Sequence, residues 1–74
     1  ADAPDHPAAL RLLGMLLLGD GRAPRAVDIL RRAIAAKDDD PEAQTALADA
    51  LRASGEAAGA IAQYRAVLAR WGSR

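Results

Sequence analysis

The sequence predicts an all-α fold of two tandem helix-turn-helix repeats, four antiparallel helices that form a fragment of an α-solenoid. Three observations carry this expectation. The chain matches itself at a shift of 34 residues. Glycines and prolines recur in the same phase of that shift, where turns and helix starts belong. Apolar residues recur at three- and four-residue steps, the mark of one buried helical face.

The shift pairs Pro7 with Pro41, Ala9 with Ala43, Leu13 with Leu47, Leu17 with Leu51, Gly21 with Gly55, Ala26 with Ala60 and Arg31 with Arg65. Conservative pairs fill the gaps: Gly14/Ala48, Val27/Ile61, Leu30/Tyr64, Ala33/Val67 and Ile34/Leu68. The expected organisation is a tail over residues 1–6, a first repeat over 7–40 and a second over 41–74.

The first helix of each repeat starts at Pro7 and at Pro41. Proline suits the first helical position because its missing N–H would be unpaired there anyway. Asp40 is a good N-cap, since its carboxylate accepts a free backbone N–H. His6 takes that place in the first repeat and is a poorer cap. Leu10, Leu13 and Leu17, then Leu47 and Leu51, form the expected buried face. Gly21 and Gly55 end these helices, because glycine adopts the left-handed conformation most cheaply. The second helices carry Ala26, Leu30, Ala33 and Ile34, then Ala60, Tyr64, Val67 and Leu68, again at helical spacing. Gly14/Ala48 and Ala26/Ala60 leave room for paired helices to approach closely. Leu13/Leu47 and Leu30/Tyr64 are expected to fill the space beside them.

A chain of 74 residues makes one small domain. Such a domain buries only about 60% of the surface that its unfolded chain exposes. No cysteine is present, which excludes disulfides and thiolate metal sites, and one histidine cannot build a metal site alone. No cofactor is implied. Ten basic and ten acidic residues cancel, against the basic excess of a nucleic-acid binder. With only Tyr64 and Trp71 as aromatics, base-stacking platforms are not expected. The apolar stretch Leu12–Leu18 falls far short of the ~20 residues of a membrane span. Lack of cysteine suits cytoplasm and periplasm alike, so the compartment is left open. The first residue is Ala1, and a trimmed start is the expectation.

Candidate catalytic groups read as structural. His6 beside Asp5 has neither a pocket nor an orienting third group. The Asp38–Asp40 run lacks the spaced ligands and twelfth-position glutamate of the helix–loop–helix calcium site. Ser54 and Ser73 have no base nearby in any recognisable motif. No catalytic residue and no metal ligand is assigned.

The pattern Leu10, Leu13, Gly14, Leu17, Gly21, Ala26, Leu30, Ala33, followed by Gln44, Leu47, Ala48, Leu51, Gly55, Ala60, Tyr64, Val67, resembles the tetratricopeptide repeat family. The resemblance runs from Pro7 to about Trp71. Leucine replaces the family's first-helix aromatics, Gln44 replaces a large apolar residue, and Asp38 and Gly72 stand where a closing proline is usual. The stretch from His6 to Leu68 looks like repeats of bacterial multi-repeat proteins, some fused to transferase-like domains. The resemblance implies a non-catalytic scaffold that binds a protein or peptide partner in a concave groove. Carried over by position, the groove face holds Ala8, Arg11, Met15 and Leu18, then Glu42, Thr45, Asp49 and Arg52. An apolar anchor is expected near Met15 and Leu18, and a polar end near Asp49 and Arg52. The family's clamp for peptide carboxylates is not expected here: Met15 and Asp49 occupy its asparagine places, and Asp49 repels a carboxylate.

Two further expectations compete with the groove. The first helix is apolar nearly all round, and such a helix expects cover on more than one side. Val67, Leu68 and Trp71 crowd the last helix. Repeat arrays need about three repeats and polar ends to be soluble alone. Either neighbouring segments have been removed, or copies pair into a homo-oligomer through Leu12, Leu16 and Trp71. The other alternative is an N-terminal appendage of a larger enzyme such as a transferase.

Overall fold

A computed structural model describes residues 6–72. Residues 1–5 of the expected tail, Asp5 among them, lie outside the described residues, as do Ser73 and Arg74 of the second repeat. Four helices follow in order: α1 (Pro7–Gly19), α2 (Ala23–Ala36), α3 (Pro41–Ala53) and α4 (Ala57–Trp71). No strand occurs among the described residues.

The two turns inside the repeats share one chemistry. Gly21 and Gly55 adopt φ of 79° and 86°, the left-handed region that suits glycine. After α1, Arg22 N–H donates to the Leu17 carbonyl at 2.9 Å and Gly21 N–H to Leu18 at 3.1 Å. After α3, Glu56 N–H donates to Leu51 at 2.9 Å and Gly55 N–H to Arg52 at 3.0 Å. Both are Schellman motifs, which satisfy the last carbonyls of a helix and reverse the chain.

Helix starts differ between the repeats. Asp40 accepts from the Glu42 and Ala43 N–H groups at 3.0 and 3.3 Å, and Glu42 adds a negative charge to the first turn of α3. His6 gives α1 no side-chain cap, and α1 has no acid in its first turn. Pro7 and Pro41 lie in the first turns of their helices.

Within each repeat, α1 packs on α2 and α3 on α4. Between repeats, α2 packs on α3, and α1 touches α3 more lightly. Thus α3 has three neighbours and α4 only one. Burial follows. Six residues of α3 and five of α2, the two helices of the inter-repeat contact, are buried, against Leu10 and Gly14 of α1 and Ala60 of α4. The core joins Ala26, Val27, Leu30, Leu47, Leu51 and Ala60, with Leu17, Leu18, Ile34 and Tyr64 packed against it.

Gly14 makes the α1–α2 approach possible. A Cβ there would meet Leu30 Cγ at 2.5 Å, and Leu30 is fully buried with nowhere to move. One packing expectation is corrected. Leu13 is 44% exposed although its counterpart Leu47 is 7% exposed. Leu47 lies on the helix with three neighbours, whereas Leu13 lies on an end helix.

The departures from the family pattern have local partners. The Gln44 amide donates to the Asp38 carbonyl at 2.9 Å and accepts from Gln63 of α4. Arg70 of α4 donates to the same Asp38 carbonyl at 3.0 Å. Polar ties therefore hold the α2–α3 connection to α4 where a closing proline would stiffen it.

Gly14→Val should lower unfolding stability by about 1–3 kcal/mol through overpacking against Leu30. Urea unfolding followed by circular dichroism measures it, and an unchanged midpoint would contradict the close approach.

Candidate functional site

The inter-repeat contact between α1 and α3 leaves a shallow cleft of about 330 Å³. Met15 lines it from α1; Pro41, Glu42, Thr45, Ala46 and Asp49 line it from α3. The α3 residues recur at three- and four-residue steps, so they share one helix face. Glu42 and Asp49 are two turns apart, about 10 Å along the axis. The apolar middle is therefore flanked by a carboxylate at each end.

Four of the groove residues expected from sequence, Met15, Glu42, Thr45 and Asp49, line this one cleft. Arg11 has a different position. Its guanidinium reaches Asp40 at 3.3 Å and Glu42 at 2.9 Å, bridging the first helices of the two repeats. Its Nε is buried without a hydrogen-bond partner. Leu18 is half-buried against the core and does not line the cleft. Arg52 is exposed, one turn beyond Asp49. Its basicity is raised, first by a hydrogen bond to Tyr64, then by electrostatic attraction to Tyr64 and to the Asp49 carboxylate. The Tyr64 hydroxyl donates to Asp49. Asp49, Tyr64 and Arg52 thus form one polar group at the cleft's far end.

Sequence reasoning missed Pro41 and Ala46 as lining residues. Pro41 carried only a helix-start signal. Ala46 precedes the Leu47 core position, and its phase beside Thr45 was the signal available.

The acidic run preceding α3 is divided among separate partners. Lys37 pairs with Asp39 at 3.5 Å, Arg70 with Asp38 at 3.6 Å, and Arg11 with Asp40. No grouping of three or more potential metal ligands occurs among the described residues. No helix of the described residues is long and apolar enough to cross a membrane.

The self-association residues expected from sequence fall on two different helices. Leu12 and Leu16 of α1 are 54% and 71% exposed. Trp71 closes α4 and is half-buried, with the Arg70 guanidinium 4.6 Å from its ring centre.

Stacked helical hairpins, glycine-hinged and bordering a cleft on their first helices, define a helical-repeat scaffold. A family model described as tetratricopeptide repeat matches residues 1–41 and again residues 11–74, which together span the chain. The chain belongs to the tetratricopeptide repeat family. Such repeats are typically non-catalytic scaffolds for protein–protein interaction. No curated protein and no solved structure matches the chain.

Asp40→Ala should destabilise the fold by about 1 kcal/mol, the usual loss for an N-cap. The exposed Arg11–Glu42 pair survives in this variant. Guanidinium unfolding reads the shift; a variant as stable as the parent would show that the cap contributes nothing.

Proposed function

We propose that this unit is a protein-interaction module whose α1–α3 cleft holds a peptide segment by one apolar side chain. The observation that carries the reading is the cleft itself, because neither repeat makes it alone: Met15 comes from one and the remaining lining from the other. Ligand pockets commonly span about 300–1,000 Å³, so this one lies at the small end. A space of that size suits one or two side chains better than a whole ligand.

The rim sets the partner's polarity. Around the cleft stand Asp40, Glu42 and Asp49 against Arg11 and Arg52. Arg11 is engaged by two carboxylates, and Asp49 retains acceptor capacity beside the Tyr64 hydroxyl. A segment with an apolar anchor followed by lysine or arginine complements this arrangement. Met15 and Ala46 receive the anchor, and Glu42 or Asp49 receives the cation. Arg52 holds a carbonyl or carboxylate farther along.

Selection from a displayed random-peptide library tests this. The recovered peptides should share an apolar residue near a basic one. Alanine at both Met15 and Asp49 should weaken them about tenfold or more, as loss of central contact residues does. Peptides that bind the double variant as tightly as the parent would sink the assignment.

A further inference from the structure

The internal repeat shows what covers α1's equivalent face elsewhere in the molecule. Ala46, Leu47 and Ala50 are 6%, 7% and 0% exposed on α3, the helix that packs on α2. Thirty-four positions earlier stand Leu12, Leu13 and Leu16, which are 54%, 44% and 71% exposed. One fold position is buried in the second repeat and open in the first. The opposite end of the unit is open in the complementary way. Ile61 of α4 is 52% exposed, while its counterpart Val27 of α2 is 4% exposed.

Copies stacked head to tail would set α4 of one against α1 of the next, repeating the α2–α3 contact. Side-chain volumes oppose that. Leu12 and Leu16 would replace Ala46 and Ala50, each leucine carrying an isopropyl group where alanine has a hydrogen. Ile61 would replace Val27 on the other side. A close-packed interface does not absorb additions of this size without moving apart.

We propose instead that the open face of α1 pairs with α1 of a second copy, antiparallel, about a two-fold axis. A two-fold contact must be complementary to itself. Along the open stripe the residues Ala9, Leu12, Leu16 and Gly19 read small, large, large, small from either end. An axis that crosses the open stripe midway between Leu12 and Leu16 sets Leu12 beside the partner's Leu16 and Ala9 beside the partner's Gly19. The second cleft, about 480 Å³ and lined in part by Leu13, Leu16 and Leu17, receives the partner's Leu12.

Charge supports the antiparallel sense. The first turn of α1 has neither an acid nor a side-chain cap. Exposed Asp20 stands at the other end of the helix, paired with Arg22 on the surface. Antiparallel pairing carries the partner's Asp20 to the uncapped first turn, where a negative charge is favourable to the helix dipole. Arg11 is engaged by Asp40 and Glu42, so the pairing buries no lone cation. The pairing is built from α1 alone and does not call on Trp71, which closes α4.

Light scattering over a concentration series, with the 74-residue chain, tests the pairing. The expected species is a dimer, twice 7.7 kDa, with no larger assembly. Leu16→Glu should raise its dissociation constant about 100-fold or more, because each copy would bury a charge. Helical circular dichroism should persist in this variant, and Ile61→Glu should leave the dimer intact. The chain has no cysteine, so chains carrying Leu12→Cys and chains carrying Leu16→Cys can be mixed and oxidised cleanly. The mixed disulfide dimer should form in preference to either self-linked one. A monomer at every concentration, assemblies that Ile61→Glu abolishes, or no preference for the mixed disulfide would overturn the proposal.

Discussion

The contact between α2 and α3 turns two helical hairpins into one body. Its chemistry is modest: Ala46 and Ala50 share a buried cluster with Val27 and Leu30. Small side chains on α3 let the helices approach until dispersion and water exclusion act over much of their length. A hairpin alone is a poor structure, because each helix then has a single covered side. Stacking gives α3 three neighbours, and α3 and α2 together hold most of the buried residues.

The same contact builds the functional surface. Packing α2 on α3 carries α1 alongside α3, and Arg11 fixes that neighbourhood by reaching both Asp40 and Glu42. Asp40 therefore has two tasks, capping α3 and receiving Arg11. The cleft at Met15 and Thr45 exists only where the two repeats meet. Removing the Asp40 carboxylate therefore takes away the α3 cap and one of the two carboxylates that hold Arg11 beside the cleft.

Local features of the fold were legible in the sequence because they depend on local chemistry. Glycine at a left-handed turn, proline in a first turn and aspartate at a cap each act within a few residues, and the period repeats them. Exposure was legible only where both repeats share an environment. Leu13 and Leu47 have the same identity and the same helical phase, yet one is open and the other buried. No local signal separates them, since the difference lies in whether a neighbouring helix is present. The groove face was read by phase, which gathered Met15, Glu42, Thr45 and Asp49. Phase does not reveal that Arg11 is engaged by two carboxylates or that Leu18 turns against the core. Gln44 looked like a defect in a core position and proves to tie the Asp38 connection to Gln63.

Helices with neighbours on more sides open less often, and amide exchange reports that opening directly. Hydrogen exchange on the Leu16→Glu variant, in which α1 is kept unpaired, tests the central role of α3. The strongest protection should fall on α3 amides from Leu47 to Leu51 and on α2 amides near Leu30, with α1 and α4 exchanging faster. Equal or greater protection in α4 would contradict a fold held together at the α2–α3 contact.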